Sequence, residues 1–155
     1  MNYDVLIIGG GAAGKDAAFQ ADRAGLETLL IEKEKLGGTS YHKGCYVIRA
    51  LQTCAESFRA SGFSEKNPEN LGIGYGYITE GWSDWSKIRL EVTGRLVKEL
   101  EEELAKSEIP VKTGSAKFLN NHAIQISSWG GTSEKVTADN IIIATGSEPS
   151  YPGDG

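Results

Sequence analysis

Cysteine is scarce in this chain: two among 155 residues, Cys45 and Cys54. Two thiols cannot staple a small disulfide scaffold, so the fold must rest on its own core, and a reducing cytoplasm is the expected setting. Histidine is limited to His42 and His122. Neither belongs to a cluster of His, Cys, Asp and Glu large enough for a full ligand set, which argues against a metal site. No apolar run approaches the roughly 18 residues that a membrane-spanning helix needs. Basic charge is in deficit, with 16 Lys and Arg against 21 Asp and Glu and a net charge of −5. A nucleic-acid partner, which would call for a basic face, is therefore not expected. The N-terminal stretch MNYDVLIIGGG has no basic leader and no small-residue cleavage site, so no secretory signal is expected. With 39% hydrophobic and 24% charged residues, the composition is that of a globular domain rather than a disordered chain.

Glycine is in excess, at 20 residues, about twice the usual share of roughly 7%. The glycines cluster, and they punctuate a readable pattern. Residues 3–8 form a buried apolar run that reads as a strand. Residues 11–25 follow as an alanine-rich helix ending at Gly25. Residues 28–31 read as a second buried strand, and 33–44 as a loop rich in Gly, Thr and Ser. Val47, Leu51, Cys54, Ala55 and Phe58 recur at helical spacing, predicting a helix over 45–61 with Cys54 in its core face. Residues 67–81 are Gly- and Tyr-rich and irregular. Ile88, Val92, Leu96, Leu100 and Leu104 step along one face of a long helix over 82–107, which Pro110 terminates. That helix carries an expected ion pair from Glu102 to Lys106. The remainder reads as β: 111–113, 116–119, 123–127, and 135–137 running through to 141–143, with a hairpin turn at Asn120–Asn121. Strand, helix and strand at the start, followed by this β-rich excursion over 111–127, predict an α/β fold of Rossmann type: a parallel sheet with helices plus a small antiparallel excursion.

Gly9-Gly10-Gly11-Ala12-Ala13-Gly14 is a G-x-G-x-x-G placed between a buried strand and a helix, with Glu32 at the end of the next strand. That context points to dinucleotide binding. Gly9 permits the tight turn, Gly11 lets backbone approach a pyrophosphate, and Gly14 lets the helix pack closely on the strand. The helix N-terminus offers free N–H groups to the anion, and Glu32 would accept a hydrogen bond from a ribose hydroxyl. An acid there suits an unphosphorylated ribose, which both FAD and NAD possess. Lys15, in the first helical turn, is read as facing solvent. Trp82, Trp85, Tyr75 and Tyr77, with no basic stripe around them, are read as packing residues.

A second segment, Leu36-Gly37-Gly38-Thr39-Ser40-Tyr41-His42-Lys43-Gly44-Cys45, resembles the G-G-T-C-x-x-x-G-C stretch of the pyridine nucleotide–disulfide oxidoreductases, the family of dihydrolipoamide dehydrogenase, glutathione reductase and mercuric reductase. Glu32-Lys33, the Asp84-Trp85 pair, Gly114-Ser115-Ala116-Lys117-Phe118 and the segment Ile143-Ala144-Thr145-Gly146-Ser147-Glu148-Pro149 are similar to the family's motifs in the same order. The resemblance implies FAD as cofactor. It implies that the glycine loop, Glu32 and Lys33 hold the adenosine diphosphate half, with Ala116 on the adenine-side strand. Gly38, Thr39 and Arg49, together with the Ala144-Thr145-Gly146-Ser147 turn, would complete the site. It further implies that NAD(P)H binds outside this chain, since no second G-x-G-x-x-G is present. Residues 1–147 would form the first segment of a discontinuous FAD-binding domain, 148–155 would begin a linker toward an NAD(P)-binding domain, and the full-length protein would be a homodimer.

One departure bears on chemistry. The family's redox pair is two cysteines, and the matching positions here are Ser40 and Cys45. A hydroxyl forms no disulfide, so disulfide reduction by this pair is not expected, whereas Cys45 matches the thiol that faces the flavin. Arg49 stands where the family has lysine, keeping the charge in a different geometry. Three readings stay open: a flavoprotein NAD(P)H oxidoreductase with a non-disulfide acceptor, a true disulfide reductase carrying a cysteine-to-serine change at position 40, and a non-catalytic flavin- or nucleotide-binding fragment.

Overall fold

The computed structural model describes residues 2–60 and 82–148. Expectations placed on 67–81, on 149–155 and on the side chains of Cys54, Phe58, Trp82, Trp85 and Ile88 lie outside the described residues. Within them the order is β1 (Asn2–Ile8), α1 (Ala12–Arg23), β2 (Thr28–Glu32), α2 (Gly38–His42), α3 (Cys45–Ala60) and α4 (Trp82–Lys106). Four strands follow: β3 (Val111–Thr113), β4 (Ser115–Asn120), β5 (Ala123–Ser127) and β6 (Ser133–Ile143).

All six strands join one sheet in the order β3-β2-β1-β6-β5-β4. β3, β2, β1 and β6 run parallel, while β6, β5 and β4 form an antiparallel meander. β6 serves both halves. From Thr137 to Ile143 it pairs with β1, and from Ser133 to Thr137 it pairs with β5. The fold is thus the Rossmann-like arrangement expected, with one correction to its parts. β3 belongs to the parallel side, paired Leu30↔Val111 with β2, so the excursion is the β4–β5 hairpin rather than all of 111–127.

Strand periodicity explains the two-sided core. Successive side chains of β1 point to opposite faces. Val5 and Ile7 pack with Leu30, Ala18 and Ala21 of α1, and with Leu100 and Leu104 of α4. Leu6 points the other way, joining Leu29 and Ile31 to Ile124, Ile126 and Val136 of the meander. The sheet therefore curls as a half-barrel, with helices packed on one face and side chains of its parallel and antiparallel halves packed against each other on the other. Parallel strands buried on both faces read as continuous apolar runs, which is why 3–8 and 28–31 were legible as strands.

Four local expectations change. Residues 33–44 contain a short helix, α2, which starts from Gly37 in the left-handed region (φ 92). The hairpin turn sits at Asn121–His122, where Asn120 Oδ1 accepts the His122 amide at 2.9 Å. Glu102 pairs with Lys98 at 3.8 Å instead of with Lys106. Ala55, expected on the apolar face of α3, is exposed.

Leu30 is fully buried and Leu90 is 64% exposed. Leu30→Ala is expected to lower the unfolding free energy by about 2–5 kcal/mol, and Leu90→Ala to change it by less than about 0.5 kcal/mol. Urea titration of the two variants checks the pair.

Candidate functional site

The C-terminal ends of β1, β2 and β6 converge on Gly9. Its amide donates to Ile31 O at 2.8 Å, and the Ala144 amide donates to Ile8 O at 2.8 Å. Gly9 has φ +109, and a Cβ there would lie 2.3 Å from Ala144 O. At Gly14 a Cβ would lie 1.7 Å from Gly9 O, so α1 touches the β1 turn backbone to backbone. Gly11 differs: the nearest atom to a Cβ there is the Gly38 Cα, 3.9 Å away. Its bareness leaves space instead of preventing a clash. Gly38 (φ +54) faces it, and the two glycines make a floor of naked backbone. Gly11 is also the N-cap of α1, with no side-chain cap and no acid in the first turn. The helix's first N–H groups are thus left for an anion.

Glu32 braces this loop. Its Oε2 accepts the Gly10 amide at 2.6 Å and its Oε1 accepts the Glu34 amide at 2.8 Å. Its backbone carbonyl accepts the Gly114 amide at 2.8 Å, tying the start of β4 to the end of β2. The carboxylate therefore organises backbone already, a role not anticipated from the sequence, and its remaining lone pairs are free to accept from a ligand.

An open cleft of about 1240 Å³ runs over these elements, larger than the ~300–1,000 Å³ typical of small-ligand pockets and suited to an extended ligand. Gly9, Gly11, Ala12, Ala13, Glu32 and Lys33 line one side of it. Gly38, Thr39 and Ser40 enter from α2, and Ala116 from β4. Ala144, Thr145, Gly146 and Ser147 close it after β6, where Thr39 Oγ1 donates to Ser147 O at 3.2 Å. Gly14 lies behind the floor. Cys45 and Arg49 are exposed on α3 and are not among the lining residues. His42, Arg89, Gly114, Ser115 and Trp129 line the cleft without having been singled out as cofactor contacts. Lys15 is half-buried beside Asp16 at 3.5 Å.

The loop that carries Ser40 and Cys45 is held by its backbone. Gly37 N donates to Gly10 O at 2.9 Å, and Lys43 N to Thr39 O at 2.9 Å. A Cβ on Gly44 would lie 3.0 Å from Thr39 O and 3.6 Å from Ser40 Cα, so the start of α3 abuts α2 beside Ser40. The Tyr41 and Tyr46 rings meet edge-on at 4.9 Å, and Thr93 Oγ1 of α4 donates to Tyr41 O at 3.2 Å. Burial pushes the Tyr41 phenol above its ordinary range, with Lys15 opposing, so it stays protonated at neutral pH. His42 Nε2 donates to Leu36 O at 2.9 Å, and His122 Nδ1 lies 3.2 Å from Ala138 O. Among the described residues no group of three or more His, Cys, Asp or Glu could hold a metal ion, and no helix is long and apolar enough to cross a membrane.

The chain is similar to curated dihydrolipoyl dehydrogenases. It is 36% identical to one from Bacillus subtilis (strain 168) over 147 residues, covering 94% of this chain and 31% of that protein. Another, from Chlorobaculum tepidum, is 33% identical, covering 95% of this chain and 30% of that protein. The soluble pyridine nucleotide transhydrogenase of Vibrio vulnificus is 30% identical, with coverages of 99% and 32%. Among solved structures, the Cu(II) complex of the HOCl-induced flavoprotein disulfide reductase RclA from Escherichia coli superposes with a TM-score of 0.76 at 26% identity, covering 99% of this chain and 30% of that one. The chain thus spans about a third of the length of the curated relatives it matches. A strand-turn-helix built on glycine backbone, an acid on the next strand, and a match to the family's own pattern over residues 3–154 together mean that the chain belongs to the pyridine nucleotide-disulphide oxidoreductase family.

Proposed function

We propose that the cleft binds FAD and that residues 1–147 act as the first segment of the FAD-binding domain of an NAD(P)H-dependent oxidoreductase related to dihydrolipoyl dehydrogenase. Residues 148–155 lead toward a separate NAD(P)-binding domain, and the whole protein works as a cytoplasmic homodimer. One observation carries the reading. The cleft floor at Gly11 and Gly38 is bare backbone, open above, beside an uncapped helix N-terminus and the Glu32 carboxylate. Diphosphate needs that close approach to N–H groups, and ribose needs the acceptor.

When bound, the flavin supplies electron transfer between a nicotinamide and an acceptor. The chain's own residues do the rest. The first turn of α1 holds diphosphate, Glu32 holds ribose while fixing the loop, and Thr39 and the 144–147 turn hold the far wall. Cys45 opens α3, six residues along the chain from Thr39. With a hydroxyl at Ser40 no internal disulfide forms, so the acceptor is not reduced through this pair, and this chain alone is not a reductase.

Three outcomes test the reading. Gly11→Val fits the free fold, because only Gly38 Cα lies near its Cβ, but it fills the floor. Flavin absorbance co-eluting with the chain after incubation with FAD should vanish in this variant while its thermal unfolding stays normal. Retained flavin would remove the assignment. Glu32→Ala should lower ligand-free stability and FAD affinity by about 1–3 kcal/mol each, the scale of hydrogen bonds to a charged group. Unfolding without flavin and an equilibrium FAD titration separate the two effects, and a loss of stability alone would leave Glu32 as a loop brace only. Ser40→Cys should form a disulfide with Cys45 under mild oxidation, because the abutting turns are held by backbone bonds that do not involve the side chain at 40. A thiol count with and without reductant reads it, and a persistently free pair would detach Cys45 from the redox position.

A further inference from the structure

Trp129 is the only Trp, Tyr or Phe among the described residues lining the cleft, and it is 77% exposed. Tryptophan is highly buried on average, so a bare indole in a cleft wall asks what covers it. The turn that carries it is well defined. Ser128 N donates to Thr132 O at 3.0 Å, Gly131 N to Ser128 O at 3.0 Å, and Ser128 Oγ to Thr132 O at 3.1 Å. Gly131 takes a positive φ of 79 that a larger residue would resist. The polar edge of the indole is already satisfied, since Nε1 donates to Lys33 O at 3.1 Å across from the β5–β6 turn to the end of β2. What remains unpartnered is the apolar ring.

Its position gives the ring a specific neighbour. Lys33 directly follows Glu32, the ribose acceptor, and the Gly114 amide bond to Glu32 O brings Ser115 to the same end of the cleft. A nucleoside whose ribose sits on Glu32 has its base at this end. We infer that Trp129 is a stacking wall for the purine of the bound dinucleotide, the β5–β6 turn adding a ring face at this end of the cleft. This rests on the cofactor reading of the cleft. A ring face is the right chemistry for it, because every base has a π-face and base–aromatic stacking needs no hydrogen-bond match.

The test uses the full chain with ADP, FAD and FMN as probes. Trp129→Ala should raise the Kd for ADP about 5- to 150-fold, the range that alanine substitution of a stacking residue produces. Trp129→Phe, which keeps a ring face, should retain most of the affinity, and FMN, which has no purine, should bind equally whatever residue stands at 129. In a Trp82→Phe, Trp85→Phe background Trp129 is the sole tryptophan, and ADP should change its emission saturably. That measurement decides the matter even if Trp129→Ala fails to fold. If the unaltered chain binds FAD and ADP while Trp129→Ala binds them equally well, or the emission does not respond, the stacking role is overturned and the cofactor reading stands. If the unaltered chain binds neither FAD nor ADP, the cofactor reading fails and takes this inference with it.

Discussion

The contact between Gly14 and the carbonyl of Gly9 sets the geometry on which the rest depends. A methyl group at residue 14 would sit 1.7 Å from that oxygen, so α1 can start where it does only if no side chain intervenes. Because α1 starts there, its uncapped N-terminus opens at the ends of three parallel strands. The same turn is hemmed from the other side, where a side chain at Gly9 would strike Ala144 O at 2.3 Å. Two glycines thus let strand, helix and the end of β6 meet in a volume that admits only backbone, and the cleft is the concavity left above them. Ligand sites at the carboxyl ends of parallel strands follow from this kind of convergence.

Glu32 extends the constraint sideways. Its carboxylate receives amides from Gly10 and Glu34, and its carbonyl receives the amide of Gly114. One residue therefore ties the Gly9–Gly14 loop, the end of β2 and the entrance to β4. A charged acceptor suits this post, since hydrogen bonds to an ionised group are stronger than neutral ones. The geometry also links affinity to order: a residue that fixes the loop before binding spares the ligand the cost of ordering it.

Those parts of the architecture were legible where the sequence speaks through local physics. The apolar runs at 3–8 and 28–31 read as buried strands, and the glycine spacing before an alanine-rich helix reads as a close crossing of helix and strand. Other parts depend on contacts distant in sequence. α2 is five residues of Gly, Thr, Ser, Tyr and His; its composition reads as loop, and it is helical because Gly37 turns left-handed and its amide is bonded to Gly10. β3 carries no sign of whether it pairs in parallel or not, since three residues are too few for a pattern. Glu102 has lysines four residues away on both sides along its helix; the local orientation rule favours Lys106, and the structure pairs it with Lys98. Trp129 stands apart in sequence from the other aromatics and belongs to no periodic pattern. The signal available was a lone tryptophan beside Gly130 and Gly131, where a tight turn has no core to bury it.

Residues 37–45 show how separable backbone shape and side-chain chemistry are in this architecture. α2 and the start of α3 are positioned by Gly37 bonded to Gly10, by Lys43 bonded to Thr39, and by the close approach of Gly44 to the backbone of residues 39 and 40. None of these uses the side chain of Ser40. Serine and cysteine differ little in volume, so exchanging one for the other leaves the loop's backbone contacts intact while removing the sulfur that a disulfide needs. The cleft floor owes nothing to that sulfur either, being made of Gly11, Gly38 and the first turn of α1. The chain can therefore keep the shape of its cleft while the atom at position 40 decides whether that side chain can enter a disulfide.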